Sequence, residues 1–160
     1  MTFNYKSVTI TRKDGCATIT FNQPMLKHDK NNAPPKPGRQ RELGIALDEL
    51  RFDNDIRVIV ITGKKDIFCL VGTNHPHFHG HVPHNAWDHL QQLQHTFQQI
   101  VEIEKPVIAK VNGHVNGFGS SLVFACDFIV ANEKALFWDH HLGMGDGNPP
   151  AGREIGRAHV

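Results

Sequence analysis

Residues 111–127, VNGHVNGFGSSLVFACD, have the form of a strand, a glycine-rich turn and the start of a helix. Such a turn presents backbone N–H groups to an anionic group, because the first N–H groups of a helix have no partner inside it. Ser120 and Ser121 stand at the head of the predicted helix, where an acid catalyst is often placed. The stretch therefore predicts an anion-binding turn, or else a turn that tolerates glycine and holds no ligand.

A dinucleotide site fits this turn poorly. The fingerprint for such a site is G-x-G-x-x-G, and Leu122 stands where the third glycine would be. No acidic residue closes the next strand at the usual distance. The turn is therefore better suited to a different anionic group.

Buried strands and amphipathic helices alternate on either side of the turn. The short apolar runs RVIVITG, KPVIAKVNG and FIVANE are typical of strands buried on both sides. Two further helices are predicted, one over RQRELGIALDELRFD and one that begins at Pro83. The first places an apolar face at Leu43, Ala46, Leu47 and Leu50, and the second a core stripe at Trp87, Leu90, Gln94, Phe97 and Val101. This alternation indicates βαβ units and an α/β fold with a mostly parallel sheet.

Two further segments frame this pattern near the amino terminus. SVTITR and CATITF alternate apolar and polar residues and are joined by KDG, with Gly15 at the position that takes a positive φ, so they predict a hairpin. NQPMLKHDKNNAPPKPG is polar and rich in proline, which predicts a long loop.

The composition excludes several classes of protein. A chain of 160 residues has room for one domain, and a formal net charge of +1 gives no reason to expect nucleic acid or an anionic membrane as partner. No apolar run resembles a signal peptide or a membrane span. The three cysteines are widely spaced and form neither a disulfide framework nor a metal pair, so we expect a cytoplasmic protein.

The chain has twelve histidines, and seven of them lie between residues 75 and 95. Alternate histidines at 75, 77, 79 and 81 would point to one side of an extended chain, which suits zinc, copper or nickel. The simpler interpretation is a solvated loop that is rich in histidine, since it holds two prolines and no cysteine. We predict no metal site, and a histidine-loop metal binder stays an alternative.

Four segments resemble the enoyl-CoA hydratase/isomerase (crotonase) family in order and spacing. They are GCATITFNQP, ELGIALDELRFDNDIRVIVITG, IFCLVGT and EKPVIAKVNGHVNGFGSSLVFACDFIVANEKALF, within residues 8–147. The resemblance implies a spiral of ββα units, C-terminally truncated here, that assembles as a homotrimer or hexamer. It also implies chemistry on an acyl-CoA thioester, with coenzyme A as part of the substrate and no separate cofactor.

The resemblance also implies which residues form the site. Two backbone N–H groups, matching Gly72 and Phe118, would form an oxyanion hole for an enolate. The family's paired glutamates are absent, because Ser121 holds the first position and the second falls near His141, with Asp139 beside it. We predict Gly72, Phe118, Ser121, His141 and Asp139 as catalytic.

The coenzyme A part of the substrate is assigned to another set of positions. In the family, the loop after the second strand meets the adenine and the phosphates. In this loop we predict that Lys27, His28 and Lys30 bind, and we add Leu70 from the separate IFCLVGT segment.

Residues 149–160 lack periodicity, and residues 154–160, EIGRAHV, match the translation of a common sequencing adapter. We therefore expect residues 1–148 to form an incomplete crotonase-like domain, and 149–160 to be an irregular tail that is not native sequence. The expected function is acyl-CoA chemistry of the hydratase/isomerase type. The alternative from another class is a non-catalytic acyl-CoA-binding or scaffold protein of the same fold.

Overall fold

The chain opens with the predicted hairpin. In the computed structural model, which describes residues 4–22, 39–70, 83–139 and 153–157, strands β1 (Val8–Lys13) and β2 (Cys16–Phe21) pair antiparallel. Asp14 and Gly15 join them with φ values of 51° and 79°. Two successive positive φ angles match the right-handed twist of the flanking strands, so the KDG turn sets the register.

Strand β2 begins a run of parallel strands that carries the core. The run continues through β3 (Val58–Thr62), β5 (Val107–Val111) and β7 (Phe128–Ala131), and the sheet order is β1-β2-β3-β5-β7. Ile19, Ile59, Ile61 and Ala109 are fully buried. The predicted α/β class with a mostly parallel sheet is confirmed.

A second, smaller sheet stands beside the first. Strands β4 (Ile67–Cys69), β6 (His114–Asn116) and β8 (Leu136–Asp139) run parallel, and β9 (Arg153–Arg157) pairs antiparallel with β8. The expectation of an irregular tail over 149–160 is therefore wrong for 153–157. Backbone pairing at a sheet edge does not require the apolar alternation that this segment lacks.

Three helices occur in the described part of the chain: α1 (Arg39–Arg51), α2 (Pro83–Glu102) and α3 (Phe118–Ala125). The predicted apolar face of α1 is fully buried. In the described residues no helix combines the length and the apolar character needed to cross a membrane.

The core stripe predicted on α2 is wrong at both of its ends. Trp87 and Val101 are exposed, whereas Thr96, Gln99 and Ile100 are buried. The buried face is rotated because the Gln99 amide donates hydrogen bonds to the Gly44 carbonyl and to Asp48, both on α1. A polar contact between the helices therefore decides which side of α2 faces inward.

Strand β7 also departs from its prediction. FIVANE was expected to be buried on both sides, yet Phe128, Ile129 and Val130 are 59%, 47% and 62% exposed. The reason is position, because among the described strands β7 is the last of its sheet and has only β5 as a neighbour. An apolar run predicts that a strand is stable when its side chains are buried. It does not show whether other described residues bury them.

Glu42 ties the amino-terminal segment to α1. Its carboxylate is fully buried and accepts hydrogen bonds from the backbone N–H groups of Lys6, Ser7 and Val8 at 2.9, 2.6 and 3.3 Å. A charged acceptor in a dry site makes stronger hydrogen bonds than a neutral one. This carboxylate therefore fixes where β1 enters the sheet.

We expect Glu42→Ala to lower the free energy of unfolding by about 3 kcal/mol, because it leaves three N–H groups without their acceptor. Glu49→Ala is the matched control from the same helix. Glu49 forms an exposed ion pair with Arg12, and its loss should cost less than about 1 kcal/mol. Urea denaturation of both variants gives the comparison, and equal losses would contradict this role for Glu42.

Candidate functional site

Two described backbone segments meet at one edge of the smaller sheet, and we call them the two bends: Cys69 and Leu70 at the end of β4, and 117–119 after β6. Strand β4 ends at Cys69 and is followed by Leu70, while β6 ends at Asn116 and leads through Gly117 into α3. Because β4 and β6 are parallel neighbours, their carboxyl ends lie at the same edge. Ligands of α/β proteins commonly bind outside the carboxyl ends of parallel strands.

The second bend depends on two glycines. Gly117 has φ 56° and ψ −118°, a conformation that residues with a side chain rarely adopt. A Cβ atom on Gly119 would collide with the carbonyl oxygen of Cys69. The turn 117–119 therefore lies in direct backbone contact with the end of β4, and the two bends converge.

Helix α3 points its amino terminus at this junction. The N–H groups of Ser120 and Ser121 are used within the turn, where both donate to the Gly117 carbonyl at 2.9 and 3.2 Å. Phe118 is the first residue of α3, and a first N–H group has no partner inside its own helix. The helix dipole adds partial positive charge at the same place, which favours negative charge.

The structure brings four of the predicted site residues to this region. Phe118 and Leu70 lie at the two bends, and Ser121 lies exposed in the first turn of α3. The Ser120 hydroxyl donates a hydrogen bond to the Trp138 carbonyl at 2.7 Å. Ser121 follows Ser120 and Asp139 follows Trp138, so this bond brings the backbone of Asp139, the fourth residue, to the same region.

The other predicted site residues cannot be placed. Gly72, His141, Lys27, His28 and Lys30 lie outside the described residues, and so does most of the histidine-rich loop. Within the described ranges no group of three or more histidine, cysteine or acidic side chains could hold a metal ion.

Asn112 was missed by the sequence predictions. Its side-chain oxygen accepts the Gly63 N–H at 2.9 Å, and its amide group donates to the Lys65 and Ile67 carbonyls at 2.7 and 3.1 Å. It therefore joins the turn before β4 to the turn before β6 and sets their alignment. Its position before Gly113 was a weak signal, because asparagine next to glycine usually indicates only a turn.

Arg39 was also missed. It is 5% exposed, and its guanidinium reaches the Leu70 carbonyl at 3.4 Å and lies over the rings of Phe21 and Phe118. Phe118 itself stacks on Phe97 with ring centroids 5.7 Å apart. The side chain of Phe118 is thus part of the core, in addition to the N–H group for which it was predicted.

The cysteine beside the site is not a nucleophile. Cys69 is fully buried, and burial raises the pKa of its thiol, although the positive charge of Arg39 opposes that change. Burial likewise raises the pKa of Cys126 to about 12, with a smaller contribution from Asp127. Both thiols therefore stay protonated near neutral pH.

We expect Gly119→Ala to lower the free energy of unfolding by about 1–3 kcal/mol and to push the two bends apart, because the new methyl group meets backbone. Gly44→Ala is the control. A methyl group there meets the end of the Gln99 side chain, which can move, so the loss should be smaller. Urea denaturation measures both, and a smaller loss for Gly119→Ala than for Gly44→Ala would contradict the close approach.

Alkylation of the native protein near pH 8 should label Cys16 well before Cys69 and Cys126. A raised pKa leaves less thiolate at a given pH, and for Cys126 the thiolate fraction falls on the order of 10³-fold relative to an ordinary thiol. Peptide mass spectrometry after timed exposure to iodoacetamide follows each site, and unfolded protein in urea is the control. Early labelling of Cys126 would contradict its burial.

Comparison with known proteins places this arrangement in a family. A family model described as enoyl-CoA hydratase/isomerase matches residues 11–155. The chain is 28% identical over 137 residues to a probable mitochondrial enoyl-CoA hydratase of Dictyostelium discoideum, covering 86% of this chain and 47% of that one. It is 26% identical over 141 residues to a crotonyl-CoA hydratase of Syntrophomonas wolfei, covering 88% and 52%.

A solved structure agrees with these relatives. A probable enoyl-CoA hydratase/isomerase from Mycobacterium abscessus superposes with a TM-score of 0.66 at 29% identity, over 83% of this chain and 49% of that one. The chain therefore spans about half the length of the relatives that it matches. With a family match over most of its residues, this chain belongs to the enoyl-CoA hydratase/isomerase family.

Proposed function

We propose that this chain binds an acyl-CoA thioester and stabilises an enolate through backbone N–H groups at the two bends. The observation that carries the proposal is the contact between Gly119 and the Cys69 carbonyl, because it brings the end of β4 against the amino terminus of α3. Membership of the family supports the same substrate class. Phe118 and Gly72 supply the two N–H groups.

Backbone donors suit this task because they are fixed before the reaction and cannot lose their proton. As the enolate forms, negative charge moves to the thioester oxygen, and N–H groups aimed at that oxygen lower the barrier. Loss of one such donor typically costs about 10²–10³-fold in rate. The dipole of α3 acts in the same direction.

We assign the acid–base chemistry to the side chains of His141, Asp139 and Ser121. In a reversible hydration, water adds its hydroxyl to the β-carbon of the enoyl group, and a proton is delivered to the α-carbon as the enolate collapses. His141 takes the proton from water and returns it to the α-carbon as the enolate collapses, since an imidazole titrates close to neutral pH. Asp139 orients His141, and Ser121 holds the water by hydrogen bonding because its hydroxyl is too weak an acid to donate a proton.

The coenzyme A moiety is assigned to Lys27, His28, Lys30 and Leu70. The two lysines neutralise phosphate charge, and His28 donates a hydrogen bond to a phosphate oxygen. Leu70 follows β4 at the first bend, so it contacts the thioester end of the substrate.

A second candidate is a non-catalytic acyl-CoA binder. The observation that favours it is Ser121, an exposed hydroxyl on the first turn of α3 where the family resemblance implies a glutamate. The same two bends would then bind the thioester oxygen without any group strong enough to activate water.

We also propose a cellular location and an assembly for this chain. All three cysteines are free thiols, which supports a reducing, cytoplasmic location. The exposed apolar residues of β7 support assembly as a homotrimer or hexamer, because such surface is normally covered.

Turnover of crotonyl-CoA, followed by loss of the enone absorbance, tests the proposal. We expect His141→Gln to lower the rate about 10²–10⁴-fold, as for loss of a general base. Ser121→Ala should retain turnover within about tenfold, because the serine only positions water. His95→Gln, an exposed change on α2, is the control and should leave the rate unchanged.

Calorimetric titration with crotonyl-CoA and with free coenzyme A separates the two candidates. Binding of the thioester without turnover identifies the non-catalytic binder. If crotonyl-CoA binds no better than free coenzyme A, the assignment of the two bends as a thioester site is wrong.

A further inference from the structure

Arg39 is a buried cation beside both bends. It is the first residue of α1 and is 5% exposed, although a charged residue at a helix start usually faces water. Burying a guanidinium is costly unless neighbouring groups compensate its charge and its donors. The groups that contact it therefore indicate which parts of the fold it stabilises.

The first contact is with the end of β4. The Nη2 atom of Arg39 donates a long hydrogen bond of 3.4 Å to the Leu70 carbonyl. Because a peptide group is planar, a bond to its oxygen restricts rotation of the whole unit. The charge is also felt by the neighbouring Cys69, whose thiol pKa is raised by burial and lowered by Arg39.

The second contact is with the start of α3. The guanidinium carbon lies 6.0 Å from the ring centroid of Phe118, within the range of a cation–π interaction. On α2, Phe97 stacks against the same ring with an interplanar angle of 27°. The Phe118 ring therefore has a fixed orientation, and the peptide that carries it is held as well.

Phe21 completes the cluster and ties it to β2. Arg39 lies 5.5 Å from the centroid of its ring, and Phe21 in turn meets Phe68 of β4 edge to face at 6.1 Å. Arg39 thus touches three elements of the core in addition to its own helix. The planar, permanently charged guanidinium can make all of these contacts at once, which an ammonium group cannot.

We propose that Arg39 is a positioning residue that clamps the two bends together and places a permanent positive charge beside them. The proposal rests on the proposed function, since the bends carry the groups that would meet the thioester oxygen. A buried cation acts through a low dielectric, so it favours negative charge at the bends more than an exposed cation would.

Amide hydrogen exchange tests the clamp without any ligand. We expect Arg39→Met to speed exchange in peptides that cover 67–70 and 117–121 by about tenfold, as for loss of a charge-assisted contact. Exchange in β1 and β7 should stay within about twofold. Arg41→Met, an exposed change on the same helix, is the matched control and should leave both regions unchanged.

The charge is tested with acetoacetyl-CoA, whose enolate has its own ultraviolet absorbance. A nearby cation favours the enolate, so removing it should raise the pH midpoint of enolate formation by the bound ligand. We expect a rise of about one unit in Arg39→Met, a tenfold change in ionisation, and none in Arg41→Met. A purely structural role would weaken binding at every pH and leave the midpoint in place.

The two measurements separate the inference from the proposed function. Unchanged exchange at both bends in folded Arg39→Met would overturn the clamp even if crotonyl-CoA is turned over. Faster exchange in a chain that binds no acetoacetyl-CoA would uphold the clamp and refute the thioester site. If Arg39→Met does not fold, Arg39→Lys replaces it. We expect amide exchange at both bends to speed up at least about threefold in Arg39→Lys, because the planar contacts are lost.

Discussion

The candidate site exists because no side chain separates the turn 117–119 from the Cys69 carbonyl. Gly119 has no Cβ to collide with that oxygen, and Gly117 adopts a backbone conformation that aims α3 at the end of β4. Two described side chains, Asn112 and Ser120, help to keep these backbone segments close together. Asn112 aligns the turns before the two strands, and the Ser120 hydroxyl anchors α3 to β8.

The core beside the two bends contains a buried arginine, Arg39, among aromatic side chains. The Arg39 guanidinium lies over the rings of Phe21 and Phe118, and Phe97 stacks on the Phe118 ring. Aromatic faces carry partial negative charge, so they offset the cost of burying the cation while excluding water.

Local patterns predicted most of the fold. The KDG turn, the apolar face of α1 and the alternation of strands with helices each depend on neighbours in the chain, and all three are confirmed. The glycine turn was recognisable because φ constraints restrict the residue types that can occupy it. Leu70 and Phe118 could be assigned to opposite bends through the resemblance of whole segments to a family.

Features that depend on distant partners could not be predicted. An arginine at a helix start is normally solvated, so only the three-dimensional position of Phe21 and Phe118 shows that Arg39 is buried. Trp87 was predicted to be core because a helical period does not specify which of two adjacent faces meets α1. The contact of Gln99 with Gly44 decides that choice, and it links residues 55 positions apart.

Strand β7 is the last strand of its sheet in the described part of the chain, and its outer edge is a site where aggregation can begin. Its outer edge presents a row of backbone N–H and C=O groups next to exposed Phe128, Ile129 and Val130. An apolar edge without charge, proline or bulge is a template on which another extended segment can add. A chain of these residues alone would therefore be prone to precipitate through strand addition at high concentration, and its solubility would depend on whatever covers that edge.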